Sequence, residues 1–246
     1  MIERAPGLPA GLVHGFSDRL GGVSEGRYAT LNLGRRWGDD PAAVAENYRR
    51  VAAAGGFRGE TLRTVRQVHG DVVLRARDLV EGSEADGLWV HRDDGPLVAG
   101  VLTADCVPLL LADRAGTVAA AVHSGWKGTV ADIAGAAVRV LAEQVPVHTL
   151  VAAIGPCIEV GAFEVGEVKG GKHRGSLSLA GKAAKVCAML AQPMPARWLR
   201  PSLCWACMLA SQAWRVIWLR WTMRCDPWNS SMRAKAVWSS CAFSEA

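Results

Sequence analysis

Residues 97–123 read LVAGVLTADCVPLLLADRAGTVAAAVH, and this stretch decides the fold. It contains three nearly continuous apolar runs of strand length, LVAGVLT, VPLLLA and VAAAVH. Residues 104–106 separate the first run from the second, and residues 113–116 separate the second from the third. Strands that are buried on both faces have this pattern. The stretch therefore predicts three buried strands joined by short connections.

The sequence on both sides of this stretch predicts two helices. The first begins after Asp40, which can cap it, and ends at Gly55. The second covers residues 129–141, where apolar side chains recur at helical spacing. At its start, Thr129 and Asp132 resemble a capping box. Helical segments therefore alternate with the predicted strands.

Further extended segments are TVRQV (64–68), DVVLRA (71–76) and TLVAAIG (149–155). Because several neighbouring strands have short links, an α+β fold with a mixed β-sheet core flanked by helices is favoured over a doubly wound sheet. Beyond residue 168 neither strand alternation nor a helical stripe persists, so the C-terminal tail is predicted to be irregular.

Three side chains with metal-binding chemistry lie at the ends of predicted strands: His69, Cys106 and His123. Zinc accepts imidazole and thiolate ligands, and a catalytic zinc site usually has three protein ligands and an open position. Loops at strand ends can converge in space although they are distant in sequence. The spacing itself matches no local zinc motif. It therefore leaves two readings open: a metal site, or a buried cysteine with two hydrogen-bonded histidines.

Charge and composition divide the chain near residue 168. Residues 169–246 hold 12 of the 28 Lys and Arg residues and only two acidic residues, whereas residues 1–168 carry a net charge of −5. Five of the seven cysteines and seven of the ten tryptophans also follow residue 169. A shifted reading frame in GC-rich coding DNA typically has this composition. The predicted organisation is therefore one domain over 1–168 and a frameshifted tail over 169–246.

Other readings of the tail remain open. Cys204 and Cys207 have the spacing of half a zinc knuckle, although no second pair follows at a workable distance. The basic and aromatic residues resemble those that bind a membrane surface or single-stranded nucleic acid. Residues 1–168, in contrast, are mildly acidic and do not have the charge that a nucleic-acid-binding surface requires. It also has no apolar export signal and no membrane span, so a cytoplasmic protein without nucleic-acid or membrane partners is expected.

Several blocks of residues 11–168 resemble the laccase-domain or YfiH-type family, whose members are named multicopper polyphenol oxidases or purine nucleoside phosphorylases. The blocks that carry the resemblance are GFSDRLGGVSEGRYATLNLG, RQVHGDVV, EADGLWV, LTADCVPLLLAD, AAVHSGWKGT and AAIGPCIEVGAFEVG. The resemblance implies that His69, Cys106 and His123 form a metal and catalytic centre. It implies zinc as the cofactor, with copper as the alternative that the family's naming suggests.

The resemblance also implies an activity, which is phosphorolysis of adenosine, inosine and methylthioadenosine together with deamination of adenosine. Phosphate then needs cations, and the candidates are Arg19 and Lys127; the turn containing Lys127 leads into a predicted helix N-terminus. Asp105 is either a carboxylate that orients a histidine or a turn former. Cys157 is expected to be a structural thiol.

Two other functional hypotheses are kept beside this one. A peptidoglycan-editing hydrolase would use Cys106 and His123 as a nucleophile pair. An inactive remnant would result if the altered C-terminus removed part of the site. The oligomeric state is left open by the sequence.

Overall fold

The computed structural model describes residues 2–5, 7–158 and 214–220. Within them the chain forms two five-stranded sheets and three α-helices. The strands are β1 Ile2–Glu3, β2 Leu12–Ser17, β3 Leu62–Arg63, β4 Val73–Arg75, β5 Gly87–His91, β6 Val98–Thr103, β7 Val107–Asp113, β8 Val118–Ser124, β9 Leu150–Ile154 and β10 Trp214–Arg220. The helices are α1 Pro41–Gly55, α2 Trp126–Val130 and α3 Ile133–Ala142.

Both sheets are mixed. The first has the order β1-β2-β10-β6-β3, with β1 antiparallel to β2 and the remaining pairs parallel. The second has the order β4-β5-β8-β7-β9, with β4 parallel to β5 and the remaining pairs antiparallel. An α+β fold with a mixed sheet core flanked by helices is thereby confirmed. Among the described residues, no helix is long and apolar enough to span a membrane.

The two sheets pack face to face and carry helices on their outer faces. Leu12 of the first sheet and Leu110 of the second belong to one buried cluster, which fills the space between the sheets. The adjacent Leu111 points the other way and packs with α3. The outer face of the first sheet packs against α1 through a third cluster. Successive strand residues thus serve opposite layers, as the alternation of side chains along a strand requires.

The three strands predicted from residues 97–123 form as β6, β7 and β8, and every residue of β7 and β8 is buried. The strand predicted at 149–155 forms as β9. The segments at 64–68 and 71–76 are extended only in part, because β4 covers Val73–Arg75 alone. The backbone N–H groups of residues 68–70 donate to a side-chain carboxylate instead of to a neighbouring strand, which explains the interruption.

The first helix begins where it was predicted to begin. The Asp40 carboxylate accepts a hydrogen bond from the Ala42 N–H at 2.9 Å, and proline occupies the first helical position. Its end was predicted one residue too early. Gly55 is the last helical residue, and Gly56 adopts the left-handed conformation (φ 68°) that terminates the helix.

The second predicted helix is broken into α2 and α3, which corrects the single helix and its capping box. Asp132 adopts a left-handed conformation (φ 68°) between them, and its side chain makes no cap hydrogen bond. The Thr129 hydroxyl donates instead to the Gly125 carbonyl at 2.7 Å. Val130, which was assigned to the buried stripe, is 62% exposed.

Strand β10 lies within the segment predicted to be a frameshifted tail, and the sequence pattern did not predict it. Its backbone pairs in parallel with β2 on one side and β6 on the other, so it occupies the centre of the first sheet. The rest of residues 169–246 lies outside the described residues, as do the CxxC pair and most of the tryptophans. The domain boundary at 168 and the frameshift stay predictions.

A buried polar side chain, Asn47, joins α1 to the loop that precedes it. Its side-chain N–H groups donate to the Ser24 hydroxyl and to the carbonyls of Thr30 and Asn32, and its carbonyl accepts from the Val23 N–H. Asn47 is fully buried. The buried Asn47 amide therefore has hydrogen-bond partners for both its N–H groups and its carbonyl.

Asn47→Ala should lower the free energy of unfolding by about 3 kcal/mol or more, because it leaves buried donors and acceptors without partners. Denaturant unfolding followed by tryptophan fluorescence measures this loss. Arg49→Ala is the control on the same helix. It removes only a solvent-exposed ion pair with Glu46 and should cost about 0.5 kcal/mol or less. Equal losses in the two variants would contradict the assignment.

Candidate metal centre

The three predicted ligands come together at one end of the second sheet. His69 lies in the segment between β3 and β4, Cys106 directly precedes β7, and His123 is in β8. Their ligand atoms all lie within 4.8 Å of one another. Cys106 Sγ is 4.0 Å from His69 Nε2, and the two imidazole rings meet edge to face with centroids 4.8 Å apart. The convergence arises because β7 and β8 are antiparallel neighbours, with His123 opposite Pro108.

The donor set suits a borderline metal ion. Tetrahedral zinc with two imidazole ligands and one thiolate holds its ligand atoms about 3.3–3.6 Å apart. The observed cluster is slightly wider, so small side-chain rotations would close it around an ion. His123 uses Nδ1 in a hydrogen bond, which leaves Nε2 for a metal. Three protein ligands leave one tetrahedral position for water or substrate.

One buried carboxylate, Asp86, organises two of the three ligands. It accepts a hydrogen bond from His123 Nδ1 at 2.8 Å and from the His69 backbone N–H at 3.0 Å. It also accepts from the N–H groups of Val68 and Gly70, at 3.2 and 2.7 Å. The Asp86 side chain is completely buried. A carboxylate that binds the second ring nitrogen fixes the tautomer and orientation of a ligand histidine.

The same carboxylate holds His69 in an uncommon backbone conformation. His69 has φ 63°, in the left-handed region that residues with a side chain seldom adopt. Three successive N–H groups, from Val68 to Gly70, converge on Asp86 and stabilise this turn. The turn places the His69 ring at the exposed mouth of the cluster, while His123 forms its buried base.

Electrostatics within the cluster separate the two histidines. Burial lowers the pKa of His123, but its hydrogen bonds with Asp86 and Cys106 outweigh burial and raise the pKa to about 9. Burial, together with the charge of His123, lowers the pKa of His69. Burial raises the pKa of Asp86, but the hydrogen bonds from His123 and from backbone N–H groups prevail and leave it lowered. A metal that binds His123 must displace its proton.

The space between the ligands exists because residue 125 is glycine. A Cβ atom on Gly125 would lie 2.7 Å from His69 Cδ2, 3.3 Å from Cys106 Sγ and 3.5 Å from His123 Cε1. Gly125 therefore forms a wall against which all three side chains pack. The neighbouring Gly128 lets α2 approach the Gly70 carbonyl, which a Cβ would meet at 2.7 Å.

The remaining predicted site residues have different surroundings. The Arg19 guanidinium donates to the Ala29 carbonyl, so it supports the loop after β2. The positive charge of Lys127 contributes to the lowered pKa of His69, and the Lys127 ammonium lies over the Trp126 ring, 5.6 Å from its centroid. Because α2 has only five residues, its dipole is weak and does not support phosphate binding there. Arg19 and Lys127 stay predictions as phosphate ligands.

The carboxylate that orients a histidine is Asp86, whereas Asp105 is exposed and its backbone carbonyl accepts from the Ile158 N–H. Of the two alternatives for Asp105, the turn former therefore fits the structure, because the carboxylate that hydrogen-bonds a ligand histidine is Asp86. Cys157 packs beside the core cluster of α3, which fits a structural thiol.

Asp86→Asn should weaken metal binding about 10- to 100-fold, because an amide cannot accept from all four donors at once. Competition with a chromophoric chelator measures the affinity. Asp94→Asn is the matched control. Asp94 is also a fully buried side chain, but it pairs with Arg75, away from the ligands. This control should lose stability and keep its metal affinity. Equal losses of metal affinity in both variants would refute the role of Asp86.

Gly125→Ala should reduce metal content to a small fraction of the wild-type value, because the added methyl group collides with His69 and displaces the ligands. Elemental analysis of purified protein checks this prediction. In Gly59→Ala the new methyl group meets nothing closer than 3.9 Å, so that variant should retain its metal. Full metal content in Gly125→Ala would rule out a site between these three side chains.

Comparison with known proteins supplies the family. The family model described as multi-copper polyphenol oxidoreductase laccase matches residues 13–185, which extends beyond the boundary predicted at 168. A purine nucleoside phosphorylase of Deinococcus radiodurans is 43% identical over 66% of this chain and 66% of its own length. Purine nucleoside phosphorylase YfiH of Escherichia coli (strain K12) is 39% identical over 64% of this chain and 63% of its own.

Among solved structures, YlmD from Geobacillus stearothermophilus superposes with a TM-score of 0.60 at 25% identity, covering 71% of this chain and 75% of that one. The chain thus spans slightly less than two thirds of the length of the phosphorylases that it matches. All three predicted ligands lie within the matched residues. The chain belongs to the multi-copper polyphenol oxidoreductase laccase family, whose relatives include the YfiH-type purine nucleoside phosphorylases.

Proposed function

We propose that this chain is a zinc-dependent purine nucleoside phosphorylase. The observation that carries the proposal is the three-ligand cluster of His69, Cys106 and His123, with an exposed side and a buried carboxylate behind it. Relatives at about 40% identity bear the name of this activity. Zinc is proposed because mixed nitrogen and sulfur ligands in a three-plus-open arrangement are typical of catalytic zinc.

The proposed reaction exchanges one bond of the nucleoside for another. A phosphate oxygen forms a bond to C1′ of the ribose, and the C1′–N9 bond breaks with its electron pair passing to the purine, which takes up a proton. The products are the free base and ribose 1-phosphate. A bound zinc ion supplies Lewis acidity at the open position. The chain must hold the phosphate close to C1′ in the correct direction, which is a problem of positioning and charge.

The residues at the mouth divide this work. Lys127 is proposed to neutralise the phosphate, because its positive charge acts on the exposed ligand His69 and contributes to the lowered pKa of that residue. Arg19 is proposed to act through the loop that it braces at Ala29, with its remaining N–H groups available to an anion. Asp86 keeps His123 oriented throughout and does not contact substrate.

Oxidation of phenols is not the proposed activity, although the family model carries a laccase name. A multicopper site needs several histidine-rich centres, and the chain has six histidines in total. In the described residues, His69 and His123 belong to one and the same cluster. The two ring nitrogens of His14 lie within hydrogen-bond distance of backbone carbonyls. Copper remains an alternative occupant of the single centre.

Two further activities belong to the proposal. Adenosine deamination would use the same three ligands, whose metal would activate water for attack at the purine C6 position, a strategy known from zinc deaminases. A peptidoglycan-editing hydrolase is the second candidate, favoured by the proximity of Cys106 and His123, whose ligand atoms lie within 4.8 Å of each other and whose residue types match a nucleophile and its base. A cytoplasmic setting, with nucleoside and phosphate as partners and without nucleic acid or membrane, accompanies the phosphorylase proposal. An inactive remnant is the remaining alternative, and it would result if the altered C-terminus removed part of the site.

Incubation with adenosine or inosine and phosphate should yield free base and ribose 1-phosphate, separated by chromatography. Cys106→Ala and His123→Ala should each lower the rate at least about 100-fold, because both remove a metal ligand. Thr149→Ala, at the exposed turn before β9, is the control and should keep full activity. Base release that does not require phosphate, or phenol turnover that survives His69→Ala, would contradict the proposal.

A further inference from the structure

An apolar rim borders the metal centre on its exposed side. It consists of four exposed side chains, Val68, Val72, Trp126 and Val130. The first two flank the turn that contains His69, and the last two lie one helical turn apart on the same face of α2. The two halves of the rim are neighbours because Gly128 of α2 packs directly on the Gly70 carbonyl.

Trp126 has the most direct link to the ligands. It follows Gly125, where an added Cβ would meet all three of them, and it begins α2. Its side chain is 45% exposed, although indole is a large apolar group that folding normally covers. The Lys127 ammonium lies over the ring, 5.6 Å from its centroid. One face of the indole thus carries a cation.

A nucleoside and phosphate need this combination of groups. The base is flat and apolar on its faces, so an exposed indole can stack on it, and each stacked base typically contributes about 1–3 kcal/mol. The phosphate needs a cation beside the base. Trp126 and Lys127 follow Gly125 in the chain, and the three ligands pack against Gly125.

We propose that the Trp126 indole is the stacking platform for the purine base, an inference that rests on the proposed function. Stacking on Trp126 makes this residue a determinant of specificity, because the two rings of a purine overlap the indole more fully than the single ring of a pyrimidine. The Lys127 ammonium lies over one face of the indole, so the base stacks on the opposite face. Val68 and Val130 exclude water from the edge of the base.

The test is calorimetric titration of the full-length, metal-loaded protein with adenosine and, separately, with ribose 1-phosphate, which has no base. Trp126→Ala should weaken adenosine binding about 5- to 150-fold and leave ribose 1-phosphate binding unchanged. Trp126→Phe should recover most of the adenosine affinity, because phenylalanine can also stack. Trp37→Ala removes another exposed tryptophan (53%), in the segment before α1, and should have no effect.

The outcomes separate this inference from the proposed function. If wild-type protein binds and cleaves adenosine but Trp126→Ala binds it equally well, the stacking role is wrong and the phosphorylase proposal stands. Equal weakening of adenosine and ribose 1-phosphate, or loss of metal in Trp126→Ala, would show a structural role and would overturn stacking. If wild-type protein binds no nucleoside, both proposals fall. Selective weakening of adenosine, reversed by phenylalanine, supports Trp126 as the platform.

Discussion

The Asp86 carboxylate is the group on which the rest of the site depends. Its oxygens join the turn at residues 68–70 to β8, two parts of the chain that no strand pairing connects directly. Burial of a carboxylate is unfavourable unless its lone pairs are satisfied, and here four donors satisfy them. Two consequences follow from one group: His69 is held in a left-handed turn at the mouth, and His123 presents Nε2 to the centre.

The second requirement of the site is space, and glycines provide it. Gly125 leaves room for three side chains to meet, and Gly128 brings α2 against the turn that carries His69. The Thr129 hydroxyl then donates to the carbonyl of Gly125, the N-cap residue of this short helix. The helix ends at Val130, and α3 begins at Ile133.

The sequence predicts the strands and helices in which buried apolar residues recur at a regular spacing. The strands β6 to β9 and helix α1 follow from apolar periodicity, because each lies between two layers or covers one.

The family resemblance, and not the spacing, identified the three ligands. Asp86 was missed because a carboxylate that binds backbone N–H groups leaves no periodic trace. The break at Asp132 was missed because residues 130–141 keep a helical stripe through it. Gly125, directly after a candidate ligand, was the one available signal for close packing.

The division into two sheets determines how the tail can affect the site. Cys106 and His123 lie on the second sheet, and His69 and Asp86 lie on the segments that enter its strands β4 and β5. Strand β10 belongs to the first sheet, where it separates β2 from β6. The two sheets share an apolar core, which includes Leu12 and Leu110. In addition, the Gln67 side chain, just before the His69 turn, hydrogen-bonds both the N–H and the carbonyl of Leu102 in β6. A change in β10 therefore reaches the ligands through that core and through β6, whereas a change at Asp86 reaches them through direct hydrogen bonds. Altered strand pairing lowers the population of folded molecules, and loss of the carboxylate lowers the metal affinity of each folded molecule.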